Sequence, residues 1–94
     1  MDQLTLFIQT IFDQPPGAYN PANQTPKGWV IYCLRDRGLL VDLNVNNADF
    51  EVRSKVGTAR FKVAAAGQDL DGAINWIVVD ADAQRAKVVL ANPT

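Results

Sequence analysis

Apolar residues near the start of the chain recur at helical spacing. Leu4, Phe7, Ile8, Ile11 and Phe12 follow i, i+3, i+4, i+7 and i+8, one stripe of an amphipathic helix over residues 2–13. Gln3, Thr5, Gln9 and Thr10 fall outside the stripe, and Leu6 is its one misfit. Asp2 carries the short acceptor side chain that caps a helix. Residues 14–24 break the pattern. Three prolines, a glycine and two asparagines exclude helix and central strand there, which predicts a long loop with Tyr19 in its middle.

A second helix is predicted from residue 26. Thr25 and Pro26 suit the N-cap and first helical position, and Trp29, Val30, Cys33 and Leu34 share one face. Arg35 and Arg37 fall in the last turn, where cations suit the helix dipole, and Gly38 fits the position just past the end. The run Trp-Val-Ile-Tyr-Cys-Leu is rich in strand formers, so a strand competes. The signals at both ends favour the helix.

Beyond Gly38 the pattern is that of strands. Residues 39–45, 48–56 and 58–65 make three, with turns at Asn46-Asn47 and Gly57. Residues 66–72 form a loop, and a terminal hairpin with arms 74–80 and 85–90 supplies two more strands. Two helices followed by a run of strands predict an α+β fold. Two N-terminal helices pack on a mainly antiparallel sheet of about five strands, in one domain spanning residues 1–94.

The terminal hairpin is apolar on both faces. Ile74, Trp76 and Val78 alternate with Ile77 and Val79; the return arm sets Val88 and Leu90 against Val89. Two helices have material to cover one sheet face. The pattern points to a central strand pair or to a self-association surface, and the second face, without cover from the helices, predicts a homodimer through Trp76, Ile77, Val79 and Val89.

The preceding hairpin sorts differently. Phe50, Val52, Val56, Phe61, Val63 and Ala65 face one way; Glu51, Arg53, Lys55, Arg60 and Lys62 face the other. A Gly57-Thr58 loop sets Lys55 opposite Arg60 and Arg53 opposite Lys62, whereas a Val56-Gly57 loop sets Arg53 opposite Arg60. Both registers oppose like charges, at a cost of up to about 1 kcal/mol. Residues 27–62 hold seven Lys/Arg and four Asp/Glu, a local +3 within a chain of net charge -1. Arg53, Lys55, Arg60 and Lys62 are therefore candidates to bind an anionic partner or nucleic acid, set against an ordinary solvated face that lysine and arginine protect from edge pairing. No aromatic residue interleaves the basic row, which disfavours stacking on single strands.

Much chemistry is excluded. The chain has no histidine, one cysteine and one serine, Ser54, so no Ser-His-Asp or Cys-His arrangement and no Cys/His zinc site forms within it. Gly-rich phosphate-binding motifs are missing. A single cysteine makes no intrachain disulfide, and Cys33 on an apolar helix face is a small hydrophobe. The pair in Asp69-Leu70-Asp71-Gly72 lacks the downstream glutamate of a calcium loop, and Asp80 and Asp82 suit a turn. An enzyme would have to work through carboxylates such as Asp42, Asp49 and Glu51. The segment Asp49-Phe50-Glu51-Val52 followed by strand 59–65 resembles the core of PD-(D/E)xK nucleases, with Asp49 and Lys62 in place. Arg60 stands where that family has an acidic metal ligand, so the resemblance implies at most an inactive relative. No cofactor or metal is expected. Tyr19, Trp29, Tyr32 and Trp76 line an apolar pocket under the long loop or, as tryptophans usually do, fill the core. The start Met1-Asp2-Gln3 is not basic, and no apolar run nears the ~20 residues of a membrane span, so a cytoplasmic protein is expected.

Overall fold

A computed structural model describes residues 2–91. Helices α1 (Gln3–Asp13) and α2 (Pro26–Asp36) precede strands β1 (Leu40–Asp42), β2 (Phe50–Ser54), β3 (Gly57–Ala65), β4 (Asn75–Asp80) and β5 (Arg85–Val89). The strands form one sheet in sequence order, antiparallel except for a parallel β3–β4 pair. Both helices pack on one face of this sheet, so the fold is α+β as expected.

The helix ends are set by the residues that signal them. The Asp2 carboxylate accepts the Thr5 N–H at 2.8 Å, and that bond holds its pKa below the ordinary value. The Thr25 hydroxyl accepts the Gly28 N–H at 3.0 Å, with Pro26 next in line. Gly38, at φ +84°, closes α2: its N–H reaches the Arg35 carbonyl while the Leu39 N–H reaches Leu34. These are the two bonds of a Schellman ending, which asks for a left-handed residue and so for glycine.

The helix-covered face holds the core. Leu4, Ile8, Ile11 and Phe12 of α1 and Trp29, Val30, Cys33 and Leu34 of α2 meet Phe50, Val52, Phe61, Ile77, Val79 and Val88. Phe7, assigned to the α1 stripe, lies at its margin and is exposed, whereas Thr5 is buried with its hydroxyl bonded to Asp2. The α1 stripe is narrower than the spacing implied.

The long loop is pinned rather than open. Trp29 Nε1 donates to the Gly17 carbonyl at 3.1 Å, and the Tyr19 ring stacks obliquely on Trp29 at 5.5 Å. The Gln84 side-chain amide holds the Tyr19 main chain from both sides, donating to its carbonyl and accepting from its N–H. Tyr19 and Trp29 therefore belong to the core, Tyr32 is exposed, and Trp76 lies on the opposite sheet face. These four aromatics line no common pocket.

Cys33 is fully buried, and this desolvation, with Asp36 adding to it, pushes its thiol up to about 12. The native thiol is expected to resist a thiol reagent at pH 8 and to be labelled only as the chain unfolds. Mass spectrometry across a urea series checks this; full labelling of the native protein within minutes refutes it. An unfolded chain ionises Cys33 near 9.0, so this residue's contribution is present below that pH and falls away as pH rises toward about 12.

Candidate functional site

Cross-strand partners share a sheet face, so the register defines the face turned away from the helices. The pairs Asp42↔Glu51, Glu51↔Arg60, Lys62↔Trp76 and Trp76↔Val89 run across it. The β2–β3 register differs from both expected ones. The turn is Lys55-Val56, which places Glu51 opposite Arg60 and Arg53 opposite Thr58. The Ser54 hydroxyl accepts the Val56 N–H and donates to the Gly57 carbonyl, bridging the turn. Gly57, at φ +147°, reopens the strand in a conformation that suits glycine. No two cations oppose each other. The like-charge anomaly is replaced by attraction, because the Arg60 guanidinium lies 4.0 Å from Glu51.

This register divides the four basic candidates. Arg53 is drawn to Asp42 at 3.2 Å and Glu51 at 3.5 Å, so its charge is locally balanced. Lys55 sits in the turn, at the far end of the hairpin. Arg60 and Lys62 come together at a cleft of about 420 Å³. Asn46 and Asn47 of the β1–β2 loop, Asp71 of the crossover loop and Asn75 at the start of β4 also line it, with Ala73, Ile74 and Ala91 as its apolar part.

Each wall of this cleft is fixed by hydrogen bonds. Arg60 Nη1 donates to the Asn46 carbonyl at 3.4 Å. The Asn75 side chain donates to the Arg60 carbonyl at 3.2 Å and accepts the Ala91 N–H at 2.8 Å. The Asp71 carboxylate is taken up by the Ala73 N–H at 2.9 Å. Among the described residues, Lys62 has no ion-pair partner, and the side-chain amides of Asn46 and Asn47 make no hydrogen bond. The Lys62 ammonium instead lies 5.8 Å from the centre of the Trp76 ring, within cation–π range. The Trp76 ring therefore attracts the ammonium of a residue that lines the cleft.

The four interface candidates are also separated. Ile77 and Val79 point into the helix-covered core, 0% and 2% exposed, and are withdrawn from any outer surface. Trp76 does lie on the outer face yet is only 8% exposed. Its cover comes from within the chain: residues 66–74 return from the end of β3 to the start of β4 beside this face, and Trp76 Nε1 donates to the Asp71 carbonyl at 2.8 Å. Val89 is half-buried beside it.

Asp49 is committed to structure. Its N–H donates to the Phe61 carbonyl, its carboxylate accepts the Val63 N–H at 2.8 Å, and Lys27 approaches it at 3.8 Å. Among the described residues no three acidic or thiol side chains gather as a metal site. No helix among them is long and apolar enough to cross a membrane. Comparison with protein-family models, with curated proteins and with solved structures found no match to this chain.

Proposed function

We propose that the domain is a binding module for a small anion, a compound with a carboxylate or phosphate group and further hydroxyl or amide groups. The observation that carries this reading is the cleft that joins Arg60 and Lys62 with the unengaged amides of Asn46 and Asn47. Cationic donors on a carboxylate or phosphate make the stronger class of hydrogen bond, and amides add recognition of neutral polar groups. The cleft has the volume of a small-molecule site. The alternative of a basic face for nucleic acid is less well served, since Arg53 is balanced by two carboxylates and no aromatic platform accompanies Arg60 and Lys62 in the cleft.

Titration with inorganic phosphate, followed by amide NMR shifts, tests the reading. Saturable shifts are expected at residues 46, 47 and 60–62. Arg60→Ala and Lys62→Ala each weaken binding about tenfold, as the loss of a hydrogen bond to a charged group allows. Shifts centred elsewhere, or none up to the solubility limit of the salt, refute it. Tight, salt-dependent binding of a single-stranded oligonucleotide across Lys55 and Arg60 together would replace it with the nucleic-acid reading.

A further inference from the structure

The sheet has two open edges, β1 and β5. An open edge presents unpaired N–H and C=O groups that invite another strand. On β5 those groups belong to residues with both main-chain polar atoms turned away from β4, and a helix side chain engages two of them. Gln9 of α1 accepts the Val88 N–H through Oε1 at 2.8 Å and donates through Nε2 to the Ala86 carbonyl at 3.2 Å. Both groups lie on the open edge, where an added strand, antiparallel in a two-fold β5–β5 pair, would have to engage them. The amide cannot be turned over, because Oε1 must face a donor and Nε2 an acceptor. Asp13, one helical turn on, reinforces this by accepting from Nε2 at 2.9 Å.

We infer that Gln9 is an edge guard: its amide stands in for a peptide group and keeps β5 from pairing with β5 of a second copy. The other edge is treated in the same manner. Arg35 of α2 donates to the Val41 carbonyl of β1 at 3.2 Å, and β1 is only three residues long. The guarded strand is the one that most needs it. β5 lies at the end of the sheet and is longer than β1; Arg85 and Lys87 give its edge some charge, and the Gln9 amide adds a direct block of its hydrogen-bonding groups. A β5–β5 pair about a two-fold axis satisfies the same donors and acceptors on both copies.

Gln9→Met tests the inference, since it keeps the side chain's length and removes both bonds. The variant is expected to shift to a dimer or larger species with rising concentration in light scattering, while the parent stays unpaired at β5. At low concentration the Val88 amide exchanges about tenfold faster than in the parent, the effect of losing one hydrogen bond of ordinary net strength. At high concentration its protection returns. A variant that remains monomeric at its highest soluble concentration overturns the inference, and so does association that leaves Val88 exchanging fast. Gln9→Lys separates the guard from packing: it keeps a donor for the Ala86 carbonyl and Asp13, places a charge at the edge, and is expected to stay unassociated.

Discussion

Trp29→Ala is expected to destabilise the domain by about 3–5 kcal/mol, the usual range for removing a buried tryptophan. Trp29 is fully buried, packs on Phe12 at 5.7 Å and Tyr19 at 5.5 Å, and donates to the Gly17 carbonyl. It is where α1, α2 and the long loop meet. Alanine leaves a cavity between the helices and deprives the Gly17 carbonyl of its partner. Against the total stability of roughly 5–15 kcal/mol usual for a domain, this is a large fraction. A guanidinium titration with unchanged slope and a lowered midpoint checks it. A loss below about 1 kcal/mol means the loop and helices do not depend on this ring.

Trp76→Ala is expected to cost somewhat less, about 3 kcal/mol, because its ring lies on the outer sheet face under a loop rather than between helices and sheet. Its second effect is more telling. Trp76 ties down the crossover loop through Asp71 and sits beneath Lys62, and both residues line the cleft. The folded variant is therefore expected to bind phosphate more weakly than the parent, whereas folded Trp29→Ala binds it unchanged. Paired titrations of the two variants decide the matter. Equal phosphate affinity in both would show that the outer-face tryptophan does not shape the cleft.

The helices were legible because their ends are chemical events. Thr25, Pro26 and Gly38 each supply something the helix terminus requires, and those signals outweighed the strand-forming run Trp29 to Leu34. The register of β2 on β3 was not legible from alternation. Registers two residues apart keep every side chain on its own face, so the apolar pattern does not distinguish them. Charge does: Glu51 opposite Arg60 is attractive, while both expected registers opposed cations. The shortness of β1 has a local cause as well. The Asp42 carboxylate accepts the Asn44 N–H at 2.9 Å and turns the chain out of the sheet.

The two-faced apolar character of residues 74–79 fits the place of β4 inside the sheet, between β3 and β5. A strand buried on both faces is the mark of parallel pairing beneath a crossover. β4 pairs in parallel with β3, and the loop that joins them covers Trp76 on the outer face through the bond from its Nε1 to the Asp71 carbonyl. Arg60 and Lys62 were legible as a basic pair. The cleft was not, because four separate stretches of the sequence build it, and Asn46-Asn47 reads from sequence only as a turn.

Gln9 reaches across 79 positions of the chain to Val88, and that distance bears on the order of assembly. During synthesis α1 emerges well before β5, the strand that covers its side. Ile8, Ile11 and Phe12 stay without full cover until β5 has formed, so α1 waits for β5. Docking of α1 on β5 is thus a closing step of folding, and it shields the helix stripe and the sheet edge at the same moment.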